Sequence, residues 1–418
     1  MADLLSVSLH GRRIGTLRRY NGTAHEFIFA PDYIEDEQRP TLSLGFKGQR
    51  GGLVRVPPTS QRLPAFFSNL LPEGHLRRYL AEKAGVKEHR EFDLLAALGQ
   101  DLPGAVTVQS ATSETETSAG EAPSEPQTDD DGATLRYSLA GVQLKFSSIL
   151  ETKGGLTVPA HGVGGSWIVK MPSTQIPHIP ENEFLMLSLA RAAGLNVPES
   201  KLVKINEITG IPEGLGDFEG QALAVRRFDR ADNGRIHMED FAQIFGRYPN
   251  DKYEGRSYAN IAVVLVAEVG EAGVAEFLRR LAFTVLIGNG DMHLKNWSVI
   301  YPDKRTPDLS PAYDFVSTIP YVAGDRLGLS FGGSKSLDAI TLDQIRTFAD
   351  KTGVATSAVI KEIVETTEKT FAAWHDLPEK DVLPHDMLEK IDSQIQKVAA
   401  TVTAIHRNNT AQPAVGTR

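Results

Sequence analysis

Between Gln109 and Thr134 the chain reads QSATSETETSAGEAPSEPQTDDDGAT, with no leucine, isoleucine, valine, methionine or aromatic residue. Such a stretch offers too little apolar surface to offset the entropy of ordering it. It is read as a flexible acidic linker over 109–134, so the fold must be built from separate blocks on either side. A length of 418 residues already calls for more than one core.

The block before the linker, 1–108, begins LLSVSLHGRRIGTLRR, which alternates apolar and polar residues about a His-Gly turn. TLSLGFKG and GLVRV repeat the two-residue period, and together these predict a small antiparallel sheet. Helices follow: AFFSNLLPEGHLRRYLAEKAG places Phe67, Leu70, Leu71, Leu76 and Leu80 at helical spacing around a Pro-Glu-Gly break. EFDLLAALG predicts one more helix, closed by Gly99.

Beyond the linker, SLAGVQLKFSSIL, GLTVPA, SWIVKMP and QALAVRRFDR are strand-like, and ENEFLMLSLARAAGLNVPES is an amphipathic helix ended by Gly194 and Pro198. From Phe241 onward helical periodicity takes over, with Phe277, Leu281 and Val285 recurring every fourth residue. The expected organisation is α+β: a mixed lobe over 135–240 and a larger all-helical lobe over 241–418. TLDQIRTFADKTGVATSAVIKEIV has the outline of a helix–turn–helix about Gly353. Its second helix carries Lys361, Glu362 and Glu365, a poor face for phosphates, so ordinary packing is preferred.

Several function classes drop out early. The chain has no cysteine, which excludes disulfides, thiolate nucleophiles and cysteine-ligated zinc and suits a reducing cytoplasm. The N-terminus lacks the apolar run that export needs, and the longest apolar helical candidate, Phe277 to Ile287, carries Arg279 and Arg280. A net charge of −9 offers nucleic acid no broad attraction.

The densest group of chemically capable residues is GNGDMHLKNWSVIY, Gly288 to Tyr301, where a turn would bring Asp291, His293, Lys295 and Asn296 to one loop edge. An Asp five residues before an Asn suits phosphoryl transfer, because the Asp can take the proton of an acceptor hydroxyl while the Asn holds a metal ion. Asp314 in LSPAYDFVS is placed like the aspartate that binds magnesium on nucleotide phosphates. Lys170, closing the strand SWIVK, is placed like the lysine that pairs with those phosphates. Each is weak alone; their order along the chain carries the reading. Lys170→Ala is expected to weaken nucleotide handling more than stability. An alternative set, Asp291, His293 and Asp314 as ligands of a hydrolytic metal, leaves Lys170 and Asn296 without a role.

With FFSNLLPEG, DLPGAV, SLAGVQLK, WIVKMP, ENEF, VRRFDR, GNGDMHLKNWS and SPAYDFVS in order, the chain resembles HipA-type serine/threonine kinases over nearly its whole length. The resemblance implies a two-lobed protein-kinase-like fold that uses ATP and Mg2+. It implies that Asp291 is the catalytic base, that Asn296 and Asp314 bind the metal, and that Lys170 pairs with phosphates. It places Ala140, Gly141, Val142, Gln143, Leu144 and Lys145 in the phosphate-side loop and Arg226, Arg227 and Phe228 at the adenine hinge. His293, Leu294, Lys295, Asn296, Tyr313 and Asp314 complete the implied ATP contacts, and Ser138 matches the serine that the family autophosphorylates to switch itself off.

The family further implies a toxin–antitoxin pair. Its partner is a small HipB-like helix–turn–helix antitoxin, which carries the complex onto operator DNA, and its protein substrate is an aminoacyl-tRNA synthetase. Two alternatives stand beside it, a small-molecule phosphotransferase of the aminoglycoside type, with a similar Gly-Asp-x-His-x-x-x-Asn loop, and a catalytically weak subunit of a repressor complex.

Overall fold

The computed structural model describes residues 3–21, 23–48, 51–111, 144–150, 156–157, 165–173, 175–211 and 218–411. The chain divides into two compact units. The first comprises Met1–Val169, Asn206–Asp217 and Asp229–Pro249, the second Lys170–Ile205, Phe218–Phe228 and Asn250–Arg418.

The first unit opens with strands β1 (Asp3–Leu9), β2 (Arg12–Tyr20), β3 (Ala24–Phe29), β4 (Thr59–Ser60) and β5 (Val106–Ser110). They form one antiparallel sheet in the order β4-β3-β2-β1-β5. The β1–β2 turn places His10 at φ 52° and Gly11 at φ 79°, the left-handed pair whose twist matches that of the flanking strands. Alternation decides the faces: Leu5, Val7 and Leu9 are buried, as are Val106 and Val108 of the neighbouring strand. Helices α1 (Ala65–Ser68), α2 (Gly74–Lys83) and α3 (Glu91–Leu98) supply the rest of this core. Phe67 lies 4.9 Å from Phe27 and 5.2 Å from Phe66 between ring centroids. At Gly99 a Cβ would stand 2.2 Å from the Val108 carbonyl oxygen, so only glycine lets the end of α3 approach β5.

TLSLGFKG and GLVRV are not the strands their alternation predicts. Leu44–Phe46 is a 3-10 turn, and among the described residues the two segments meet in one bridge, between Lys47 and Leu53. Side chains satisfy the backbone there instead of a ladder: Ser43 Oγ accepts from Gly45 N at 3.0 Å, and the buried Glu239 carboxylate accepts from Leu44 N at 2.8 Å. β5 extends through Gln109 and Ser110, two residues into the stretch read as linker. Residues 112–134 of that stretch lie outside the described residues.

Also in the first unit, β6 (Lys145–Leu150) pairs antiparallel with Leu156–Thr157, which pairs in parallel with Ile208–Thr209. The strand His237–Asp240 leads into the short helix Phe241–Ile244 through an Asp240/Gln243 capping box.

In the second unit, helix α4 (Ile179–Ala192) packs on strand Gln221–Arg226, which pairs antiparallel with Ser200–Lys204. Gly194, at φ 86°, follows the end of α4 where the sequence places it. The body consists of α5 (Tyr258–Glu268), α6 (Glu271–Leu286), α7 (Leu342–Thr352), α8 (Thr356–Asp376) and α9 (His385–Ala411). The expectation of an all-helical C-terminal lobe is corrected here. Ser298–Tyr301 pairs with Asp308–Leu309, and Arg326–Phe331 with Ser334–Ser336. Ser298–Tyr301, Asp308–Leu309 and Ser334–Ser336 are too short to leave a two-residue period visible, whereas Leu327, Leu329 and Phe331 do alternate, in a single strand set among long helices. The apparent helix–turn–helix is α7, Gly353 at φ 73°, and α8, whose Val359, Ile360, Ile363 and Val364 are buried. That face belongs to the core, as charge alone suggested.

Candidate functional site

The second unit contains a buried charged cluster. The Lys170 side chain is 5% exposed, and its Nζ donates to Glu183 Oε1 on α4 and to Asp314 Oδ1. Burial alone would push the lysine's pKa down, but the Asp314 and Glu183 carboxylates overcome this and hold it above the ordinary lysine value. The ammonium is therefore charged at neutral pH, inside protein. Lys170 therefore carries a structural load beside any part in nucleotide handling, because Glu183 is also buried, its side chain 1% exposed.

The local chain explains how these groups meet. Helix α6 ends at Gly288, φ 63°, in a Schellman arrangement: Asn289 N donates to Thr284 O at 2.9 Å and Gly288 N to Val285 O at 3.1 Å. That reversal launches the loop carrying Asp291. Thr318 stitches it to the Asp314 segment, since Gly290 N donates to Thr318 Oγ1 at 2.7 Å and Thr318 N to Gly288 O at 3.0 Å. Asn182 on α4 clamps the same segment from the other side, donating to Ser317 O at 2.9 Å and accepting from Ser317 N at 2.9 Å. Asp314 itself sits at φ 55°, a left-handed conformation that aspartate tolerates better than most residues.

Asp291 is exposed. Its backbone is fixed on both sides: its N–H donates to Asn289 Oδ1 at 2.9 Å, and its carbonyl accepts from Asn296 Nδ2 at 2.9 Å and from His293 N at 2.9 Å. His293, Leu294, Lys295 and Asn296 are buried, so the loop does not present all four polar residues along one edge. Turning the loop through the 3-10 segment Leu294–Asn296 sends these side chains inward. The Lys295 carbonyl accepts from the Tyr313 hydroxyl at 2.9 Å, and the Tyr313 ring lies 5.6 Å from that of Phe228. Next to Phe228, Arg227 is buried, while Arg226 is exposed and pairs with Glu199 at 3.6 Å.

The described second unit thus brings together Lys170, Asp291, Asn296 and Asp314 with His293, Lys295, Tyr313 and Phe228. Leu144 and Lys145 stand in the first unit, at the start of β6. Ser138, Ala140, Gly141, Val142 and Gln143 lie outside the described residues. Sequence reading passed over Glu183, although it lies in the quoted ENEF. The available signal was an acid four residues before Leu187 on the apolar stripe of α4, a place where an unpaired charge would not be tolerated.

The donor chemistry fits magnesium. Asn296 commits its amide nitrogen to the Asp291 carbonyl, so its oxygen is the end that would ligate, and Asp314 would add a carboxylate. Magnesium is usually held by one or two such oxygens together with substrate phosphates. The hydrolase alternative fares worse: among the described residues no group of three or more His, Cys, Asp or Glu is placed to hold a metal ion.

A strand lysine joined to a helix carboxylate and a downstream aspartate, beside an Asp-x-x-x-x-Asn loop, is the arrangement of a protein-kinase-like domain. Residues 137–374 match the HipA-like C-terminal domain and residues 5–109 the HipA N-terminal domain, and the chain belongs to the HipA family. It is 49% identical over 410 residues to Y4dM of Sinorhizobium fredii, named as a candidate kinase, covering 96% of this chain and 97% of that one. It is 27% identical over 412 residues to the serine/threonine-protein kinase toxin HipA of Shewanella oneidensis, covering 88% of each. A solved Shewanella oneidensis complex of HipA, HipB and operator DNA shares the fold, with a TM-score of 0.71 and 23% identity over 96% of this chain and 99% of that one. Among the described residues no helix is long and apolar enough to cross a membrane.

Proposed function

We propose that the protein is an ATP- and Mg2+-dependent serine/threonine protein kinase acting as the toxin of a toxin–antitoxin pair. The observation that carries this reading is the buried Lys170–Glu183–Asp314 cluster, fastened through Thr318 to the loop that exposes Asp291. A charged triad of this kind is a poor investment for stability alone and a good one for gripping phosphates.

In this reading Asp291 accepts the proton of a serine or threonine hydroxyl as that oxygen bonds to the γ-phosphorus, and ADP departs with the electrons of the broken bond. Lys170, held in place by Glu183, pairs with the nucleotide phosphates. Asn296 and Asp314 would hold magnesium, which neutralises phosphate charge when bound. Leu144, Lys145 and the residues before them would line the phosphate side, and Arg226 to Phe228 would meet adenine through the backbone. The divisions 1–108, 109–134, 135–240 and 241–418 then correspond to accessory domain, linker, N-lobe and C-lobe.

The substrate in this reading is an aminoacyl-tRNA synthetase, the partner a HipB-like antitoxin that brings the complex to operator DNA, and the location cytoplasmic. The Shewanella oneidensis complex supports that partner by analogy. Ser138 is the proposed autophosphorylation site. Ser147 and Ser148, the serines next along the chain, are buried in β6, and Ser147 Oγ accepts from Gly165 N at 2.9 Å, so neither suits an acceptor. The small-molecule phosphotransferase alternative has no use for the HipA N-terminal domain over residues 5–109.

Incubating the protein with Mg-ATP, measuring ADP release and mapping phosphosites in the protein and in a cell lysate tests the whole reading. Asp291-dependent phosphoserine or phosphothreonine supports it. Phosphorylation confined to small molecules, or none in either protein or lysate, refutes it.

A further inference from the structure

Tyr253 lies on the turn that precedes α5, where nothing in the sequence pattern marked it. Its hydroxyl donates to Asp291 Oδ1. Its ring meets the His293 ring edge-on at 4.9 Å between centroids, and Leu294 N donates to the carbonyl of the preceding residue, Lys252, at 3.1 Å. The turn is thus tied to the catalytic loop at three successive points, Asp291, His293 and Leu294. Tyr253 is nevertheless 39% exposed.

Asn289, His293 and Asn296 hold the backbone of Asp291, whereas the Tyr253 phenol holds the carboxylate itself. A carboxylate turned away from an acceptor cannot take its proton, and misplacement of a reacting group by an ångström is expensive in rate. We propose that Tyr253 is a positioning residue for Asp291, its phenol fixing the carboxylate in the orientation that receives the acceptor's proton. This rests on the phosphotransferase reading above. It extends that reading by assigning to the pre-α5 turn a part in the chemistry.

The competing view is that Tyr253 imitates an acceptor, occupying the place of a serine hydroxyl until substrate displaces it. The two predict opposite changes. Tyr253→Phe keeps the ring against His293 and removes only the hydroxyl. Wild-type, Tyr253→Phe and Tyr253→Ala full-length proteins are compared by ADP release with Mg-ATP and a degenerate mixture of serine- and threonine-containing peptides. Thermal melting serves as the fold control. The expected result is a fall in kcat of about tenfold in Tyr253→Phe, the size of one hydrogen bond to a charged group, with KM for ATP and for the peptides unchanged. Tyr253→Ala should be little worse than Tyr253→Phe, since the ring is not the agent. Unchanged kcat in Tyr253→Phe alongside an active wild type overturns the role of Tyr253 and leaves the phosphotransferase reading standing. A raised kcat or a lowered peptide KM overturns it in favour of acceptor mimicry. A wild type with no turnover overturns both.

Discussion

Lys170→Met should destabilise the second unit by roughly 3–5 kcal/mol, the range seen when one partner of a buried ion pair is removed. The two carboxylates it leaves behind are unequal. Asp314 keeps 21% of its side chain exposed and can recruit water, whereas Glu183 keeps 1% and cannot, so most of the penalty falls on Glu183. For a cooperative unit of roughly 200 residues each kcal/mol moves the midpoint about 2–4 °C, so melting should drop by about 6–20 °C. Lys170 is held above the ordinary lysine value, so its stabilising contribution is complete at neutral pH and fades only as pH rises past the lysine range. The double variant Lys170→Met/Glu183→Leu should recover most of the lost stability, because an apolar pair of similar volume replaces a buried ion pair at little cost. Phosphoryl transfer should not recover with it. Differential scanning calorimetry of the single and double variants decides the point. A single variant melting within 2–3 °C of wild type, or a double variant as unstable as the single, would show that the cluster is not held as described.

Asp291→Ala should lower phosphoryl transfer by at least about 10²-fold while leaving the melting temperature nearly unchanged, because the side chain is exposed; ADP release and calorimetry check the two halves. Gly290→Ala should disrupt the loop, since a Cβ there would stand 2.1 Å from Asp325 Oδ2 and 2.7 Å from Arg326 O; loss of activity with a lower melting temperature is expected. His237 in the first unit is buried and neutral, its pKa lowered from 6.5 to about 4 by desolvation, while Nε2 contacts Leu42 O at 2.8 Å. The unfolded chain therefore binds more protons between those values, so this stability is full above pH 6.5 and about 3 kcal/mol of it is lost as pH falls to about 4. Urea titrations across that window should show the loss, and His237→Phe should flatten it.

What the sequence made legible depended on the range over which each cause acts. The β1–β2 hairpin and the capped ends of α4 and α7 follow from neighbouring residues, and they were readable from the His-Gly turn, Gly194 and Gly353. The segment 41–48 was misread because its backbone donors are satisfied by Glu239, far along the chain, and alternation of side chains contains no record of such a partner. In the candidate site, the sequence singles out Asp291, Asn296, Lys170 and Asp314 because the proposed phosphoryl transfer would restrict residue type and order. Their supports are not singled out, since Asn182, Thr318 and Tyr253 are ordinary polar residues until the chain brings Ser317, Gly290 and Asp291 to them. Glu183 stands between these cases. A carboxylate in the apolar stripe of a helix conflicts with the pattern around it, and such a conflict can persist only if a cation is delivered to the same place. Lys170, the buried lysine at the end of a strand, poses the same conflict from the other side. Each of the two violations explains the other, since the buried ammonium of Lys170 meets the buried carboxylate of Glu183.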